Sequence, residues 1–304
     1  MPNSSQKGMN LWEAARVIGV PFSRRVLPET RMIQGEELCF SYLNWGEDTP
    51  IPMLLLHGRS QTAHSWDFVG LSFANEYRII ALDQRGHGDS DWSSSADYSM
   101  GAFQRDLEDI LGKLNLNKVI LVGLSMGGRN AWMFASKHPE LVKALIIVDS
   151  GPEVMETGVK RIRQFIDLPD QVPTYEEFVE RVHNFNPRRD IEQIRGSLQH
   201  NIRQTDEGAW TWKYDKVFRQ GASSLDGWSE VELWEALPLI TCPTLVIRGG
   251  RSDILSEQTT KKMVDIIPNC ESITIEGAGH LVPGDKPVES INAIREFLRS
   301  CDSS

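Results

Sequence analysis

Ser125 lies in Gly123-Leu124-Ser125-Met126-Gly127, directly after the aliphatic run Val119 to Val122 and directly before a helical pattern from Met126 to Lys137. Strand, sharp turn and helix in that order set a serine at the apex of the turn. Such a turn holds its central residue at strained backbone angles, and the flanking glycines remove β-carbons that would collide there. The hydroxyl is lifted clear of the sheet at a helix N-terminus, whose free N–H groups favour negative charge. A serine hydroxyl is still a poor nucleophile at neutral pH. It needs a base within hydrogen-bond reach, and donors for the oxyanion that its attack would create.

The elements around this turn alternate. A strand-like pattern starts at Arg31, with a second strand near Leu38 to Trp45 closed by Gly46. The turn Glu47-Asp48-Thr49-Pro50 feeds Pro52-Met53-Leu54-Leu55-Leu56, an unbroken apolar run expected to be buried on both faces. A helix around Trp66 to Asn75, a strand at Tyr77 to Leu82 and a helix at Met100 to Leu114 precede the serine; a strand at Val142 to Val148 follows it. This alternation implies βαβ units and a mostly parallel sheet. It breaks between Pro152 and about Leu237, where helical patterns dominate, one opening with a capping box at Thr174 and Glu177. Trp210, Trp212 and Tyr214 share one face there by their period of two. Strand and helix resume at Pro243 to Gly249, Glu257 to Ile266, Ser272 to Ile275 and Val288 to Leu298. Leu11 to Ile18 is a short helix ended by Gly19 and Pro21, or else part of a loose arm.

Composition narrows the class. The chain has 304 residues, 40% of them hydrophobic, enough for one large domain with an insertion or two small ones. A net charge of −10 argues against a nucleic-acid surface. There is no uninterrupted apolar run of membrane-spanning length, and Met1 to Gly8 lacks the apolar stretch of a signal peptide, so a cytoplasmic protein is expected. Cys39, Cys242, Cys270 and Cys301 are widely spaced without metal-ligand pairing and are expected to be free thiols. No phosphate loop, dinucleotide fingerprint or metal motif appears, so no cofactor is implied.

Five short motifs occur in order: His57-Gly58, the turn Asp83 to Ser90, the serine turn, Gly249-Gly250-Arg251-Ser252-Asp253, and Gly277-Ala278-Gly279-His280. In these the chain resembles the α/β-hydrolase superfamily, in its branch of serine esterases, lactonases and perhydrolase-type enzymes with a helical lid. The likeness covers about residues 31 to 300. It implies a mostly parallel eight-stranded sheet flanked by helices, with a helical cap inserted after the sixth strand. Residues 1–30 would form an N-terminal arm, 31–151 and 238–304 the core, and 152–237 the cap.

The resemblance also implies roles. His280, in a glycine-rich loop after the last strand, would be the base, and Asp253, after the strand ending at Gly249, would hold the other imidazole nitrogen. Asp149, which ends the preceding strand, is the rival acid. The backbone N–H groups of Met126 and Arg59 would bind the oxyanion. Arginine is unexpected at that second position; its guanidinium either contacts a polar or anionic group of the substrate or points to solvent. His57 would brace the oxyanion loop, and Asp83, His87 and Ser90 would be structural. His64, His138, His183 and His200 carry no motif and are assigned to the surface or lid. Trp66 and Trp132 belong to the core, and the stripe Trp210, Trp212, Tyr214 to the interior of the lid or else to the substrate pocket.

The expectation is a serine hydrolase acting on a small-molecule carboxylic ester or lactone through an acyl-enzyme, as a monomer or small homo-oligomer, with no nucleic-acid or membrane partner. The alternatives are a carbon–carbon bond hydrolase, a perhydrolase or a receptor that retains the triad. Serine in place of aspartate at 125 argues against epoxide hydrolase or dehalogenase chemistry. Leu281 stands where carbon–carbon bond hydrolases often carry tryptophan.

Overall fold

A computed structural model of the chain describes residues 8–46, 49, 51–220 and 229–303. The polar stretch Met1–Lys7, most of the turn Glu47 to Pro50, and residues 221–228 of the expected cap lie outside the described residues.

In chain order the strands are β1 (Glu29–Gln34), β2 (Cys39–Asn44), β3 (Pro52–Leu56), β4 (Arg78–Leu82), β5 (Val119–Leu124), β6 (Val142–Val148), β7 (Gln171–Val172), β8 (Ile202–Gln204), β9 (Trp210–Trp212), β10 (Thr244–Gly249) and β11 (Cys270–Ile275). Eight form one sheet in the order β1-β2-β4-β3-β5-β6-β10-β11. β1 and β2 pair antiparallel, as do β2 and β4; the rest of the sheet is parallel. The helices are α1 (Leu11–Ile18), α2 (Asp67–Phe73), α3 (Met100–Lys113), α4 (Met126–Lys137), α5 (Glu156–Ile166), α6 (Tyr175–Phe185), α7 (Ile191–Leu198), α8 (Glu230–Ala236), α9 (Glu257–Ile266), α10 (Val282–Asp285) and α11 (Pro287–Ser303). None of the described helices is long and apolar enough to cross a membrane.

The central strands are apolar throughout because both faces are covered. In β3, Met53 and Leu55 join a cluster with Trp66 and Val69 near α2 and Ile291 and Ile294 of α11, while Leu54 and Leu56 join one with Leu107 and Ile110 of α3 and Trp132 of α4. Trp66 and Trp132 are core residues, as expected. Helix α1 is real: Asn10 and Glu13 form a capping box and Gly19 closes it at φ +87°. Its Ala14 and Ala15 are buried.

The segment between β6 and β10 is not wholly helical. Besides α5 to α8 it holds a three-stranded antiparallel sheet, ordered β7-β9-β8. The alternation at Trp210-Thr211-Trp212 outweighs the helical surroundings, because period two buries one face of a strand. Trp212 and Tyr214 pack with Phe178, Leu198 and Phe218 of the insertion, and with Tyr98, Phe103 and Met126 of the core. Backbone hydrogen bonds join the insertion to the Asp83–Ser90 turn: Gly88 N–H donates to Lys213 O (2.7 Å) and Asp215 N–H to Gly86 O (2.8 Å).

Two buried histidines brace the loops that follow β3 and β4. His57 Nε2 accepts from Gln84 N–H (3.0 Å), so its proton sits on Nδ1, which donates to Gly58 O (2.7 Å). His87 does the same, with Nε2 accepting from Ser60 N–H (3.1 Å) and Nδ1 donating to Arg85 O (3.0 Å). Asp83 accepts from Ala63 and Asp89 N–H, and Ser90 Oγ donates to Asp83 O. Burial pushes His57 down to about 4, outweighing the opposing pull of the Gly58 carbonyl, and pushes His87 well below its ordinary value.

Because the folded value lies below 6.5, the unfolded chain takes up the proton first as pH falls. This stability is present in full above pH 6.5 and is lost between 6.5 and about 4. Urea unfolding of wild type and His57→Gln at about pH 7.5 and pH 5 should show wild type losing on the order of 2 kcal/mol more than the variant. Equal losses would mean that His57 is not held neutral.

Candidate active site

Ser125 occupies the turn between β5 and α4 at φ +54°, ψ −115°, a conformation an L-residue adopts only under constraint. The constraint is close packing. A β-carbon on Gly123 would come within 2.2 Å of Gly127 O, and one on Gly127 within 2.2 Å of Leu56 O. Only glycine lets the two strand ends and the helix start meet so closely. A hydrogen bond from Ser125 N–H to Val148 O (3.0 Å) and one from Ser150 Oγ to Ser125 O (2.6 Å) hold the turn to the end of β6.

His280 reaches Ser125 from the loop after β11. Its Nε2 is 2.9 Å from Ser125 Oγ and its Nδ1 is 2.7 Å from Asp149 Oδ2. With Asp149 accepting, the proton belongs on Nδ1 and Nε2 is left to accept the serine proton. Asp149 is fully buried, at φ +45°, and accepts two further hydrogen bonds, from Gly249 N–H (2.8 Å) and Ser252 Oγ (2.6 Å).

The carboxylate that meets His280 is therefore Asp149, and the expectation for Asp253 is not met. Asp253 faces the insertion, where its carboxylate pairs with Arg161 (Nε to Oδ2, 3.0 Å). Its carbonyl accepts the N–H of Gly158 in α5. The reason is local. The turn after β10 sends the side chain of Ser252 inward to Asp149, so the next side chain is directed away.

The loop after β3 runs against the serine: a β-carbon on Gly58 would touch Ser125 Cβ at 3.4 Å. Gly58 N–H is taken by Gln61 Oε1 (2.9 Å). Met126, the first residue of α4, is buried beneath the insertion's aromatic cluster, and Arg59 follows Gly58. The Arg59 guanidinium does not run out to solvent: it donates to Phe218 O and lies 5.5 Å from the Phe218 ring, tying the loop to the insertion.

Two residues that hold this arrangement have no role implied by the motifs. One is Ser252, which lies within the Gly249–Asp253 motif, one residue before the expected acid. The other is Asp285, whose side chain is buried and accepts from Gly279 N–H (2.8 Å) beside His280, from Asn186 Nδ2 (2.6 Å) and from Arg188 Nε (2.9 Å). It anchors the histidine loop to the insertion. A carboxylate five residues beyond the histidine was the available signal, but several acidic residues flank that loop in sequence. The four cysteines are free thiols.

The comparisons with known proteins agree with this architecture. The family model for the alpha/beta hydrolase fold matches residues 51–287. Esterase Rv0045c of Mycobacterium tuberculosis is 28% identical over 279 residues, covering 90% of each chain. Its solved structure superposes with a TM-score of 0.77 at 29% identity, over 95% of this chain and 96% of that one. A 3-hydroxybutyrate-oligomer hydrolase of Cupriavidus necator is 28% identical over 252 residues, 79% of this chain and 86% of its own. The structure of E-2-(acetamidomethylene)succinate hydrolase shares the fold with a TM-score of 0.81 at 22% identity, over 90% of this chain and all of that one. With the matched segment spanning most of its length and the same sheet beneath it, this chain belongs to the alpha/beta hydrolase fold family.

Proposed function

We propose that the protein cleaves carboxylic esters or lactones through an acyl-enzyme, with Ser125 as nucleophile, His280 as base and Asp149 as the acid that orients it. The observation that carries this reading is the pair of hydrogen bonds made by one imidazole, to Ser125 Oγ at 2.9 Å and to Asp149 at 2.7 Å. The esterase and oligomer-hydrolase names of the relatives support the same chemistry.

In the reaction, Ser125 Oγ attacks the ester carbonyl carbon while its proton passes to His280 Nε2. The carbonyl oxygen takes the negative charge and is met by the backbone N–H groups of Met126 and Arg59. The C–O bond to the alcohol then breaks, and His280 returns the proton to the departing oxygen. Water enters next, loses a proton to His280, attacks the acyl carbon and releases the acid and the serine hydroxyl. Asp149 keeps its charge throughout, fixing the tautomer and stabilising the imidazolium. The insertion acts as a cap whose aromatic cluster, packed against Met126, gives the acyl group an apolar roof. Serine as the nucleophile favours this reading over epoxide opening, and Leu281 beside the histidine favours it over carbon–carbon bond cleavage.

On a short-chain aryl ester, Ser125→Ala should lower kcat on the order of 10⁴-fold or more while thermal unfolding stays near wild type. Retained turnover would remove the nucleophile from the scheme. The two aspartates are separable in the same assay. Asp149→Asn should cost on the order of 10⁴-fold in kcat by presenting the wrong tautomer, whereas Asp253→Asn should stay within about tenfold of wild type, since it loses only a partly exposed ion pair. The reverse ranking would return the acid's role to Asp253.

A further inference from the structure

Three side chains outside the catalytic cluster meet where the sheet domain touches the insertion. His64 lies in the 3-10 turn Ala63–Trp66, Asp67 opens α2, and His200 follows α7. One nitrogen of each imidazole and one oxygen of the carboxylate all lie within 4.8 Å of one another. The two rings stack with centroids 3.5 Å apart and planes 18° from parallel, and His64 Nδ1 is 2.9 Å from Asp67 Oδ2. All three residues are partly buried, so they are shielded from bulk solvent yet reachable by an ion.

The donor set decides which ion fits. Two imidazoles and one carboxylate suit a borderline divalent ion such as zinc, copper or nickel; magnesium and calcium prefer oxygen alone. Zinc takes such ligands at about 2.0–2.2 Å, which brings their donor atoms about 3.3 Å apart in a tetrahedral arrangement, with water at the fourth position. An imidazole binds a metal in its own plane, so the stacked rings must splay apart for their donor atoms to close from within 4.8 Å onto one ion. Lys213, a cation whose charge is felt by both imidazoles, is held by Asp89 at 2.7 and 2.9 Å, and Asp83 adds negative charge on the His64 side.

We propose that His64, Asp67 and His200 form a binding site for a divalent transition-metal ion, zinc being the probe of choice, and that the ion clamps the insertion to the sheet domain. Existing contacts at the same seam are weaker than coordination bonds: Thr62 Oγ1 donates to Asn201 Oδ1 at 3.3 Å, next to His200. An ion here would tie the segment that follows the oxyanion loop to the insertion, and so restrain any opening of the cap. That consequence for turnover rests on the hydrolase reading; binding and clamping do not.

The test uses the full chain, freed of metal by chelation and titrated with zinc chloride by calorimetry and thermal unfolding. Wild type should bind zinc and unfold at a higher temperature when loaded. His200→Ala and the milder His200→Gln and Asp67→Asn should each weaken binding at least about tenfold and remove the thermal shift, while His138→Ala, at a histidine paired with Glu108 on the surface, leaves both intact. In ester turnover, zinc should slow wild type reversibly and slow His200→Ala far less. Unchanged zinc affinity in the His200 and Asp67 variants would overturn the site. Zinc inhibition of equal strength in His200→Ala would overturn the clamp, since the ion would then act elsewhere. A protein that binds zinc here but cleaves no ester would sustain the site and sink the hydrolase reading instead.

Discussion

A carboxylate with no exposed surface, Asp149, is the constraint on which the rest of the active-site end depends. An unpaired charge in that position would cost several kcal/mol. Asp149 is solvated instead by three donors from three different places in the chain: the Gly249 amide at the end of β10, the Ser252 hydroxyl just beyond it, and the His280 imidazole after β11. Those donors coincide only while β6, β10 and β11 keep their register, with Val148 beside Ile247 and Gly249 beside Ile275. A one-residue slip would turn every side chain to the opposite face and leave the charge bare. The same hydrogen bonds that hold a buried charge therefore fix where the imidazole sits.

Around that charge the backbone is strained twice, at Ser125 and at Asp149, both at positive φ and joined through Ser125 N–H to Val148 O. Each such residue costs on the order of 1–3 kcal/mol and persists only when its surroundings leave no alternative. Here the surroundings are the glycine contacts at 123 and 127 and the burial of all of β5, and of β6 from Ala144 onward, in the sheet. The insertion adds a second layer of restraint. It touches the histidine loop through Asp285, the loop after β3 through Arg59 and Phe218, and the Asp83–Ser90 turn through the backbone of Lys213 and Asp215. Each of these three loops is thus held by the insertion as well as by the sheet domain.

Much of this was legible in the sequence, because strand periodicity, the glycine-flanked serine and the histidine loop are local signals. Ser125 and His280 meet as their motifs imply. The acid was not legible, since Asp149 and Asp253 both follow strand ends. The choice depends on which side chain of the Ser252-Asp253 pair turns inward, and a single turn's dihedral angles decide that. The small sheet in the insertion was half visible as the alternation at Trp210, Trp212 and Tyr214. Its partners, Gln171–Val172 and Ile202–Gln204, are too short to carry a pattern. The course of the Arg59 side chain was hidden for another reason: its partner, Phe218, is distant in sequence and joined to it only by tertiary packing.

The histidines at this end of the molecule show how one residue type is divided among tasks. His57 and His87 each receive a backbone N–H at Nε2 and give their only proton to a carbonyl, so both nitrogens are committed and burial keeps the rings neutral. Accepting a proton would set a charged N–H against another N–H. His280 differs in both partners. Its Nδ1 faces a carboxylate, which welcomes the imidazolium, and its Nε2 faces a hydroxyl, which can give up a proton. Burial alone does not separate these rings, for all three are buried. What separates them is whether the atom opposite each nitrogen can tolerate, or supply, one more proton; among these three rings that property singles out the one that joins Ser125 to Asp149.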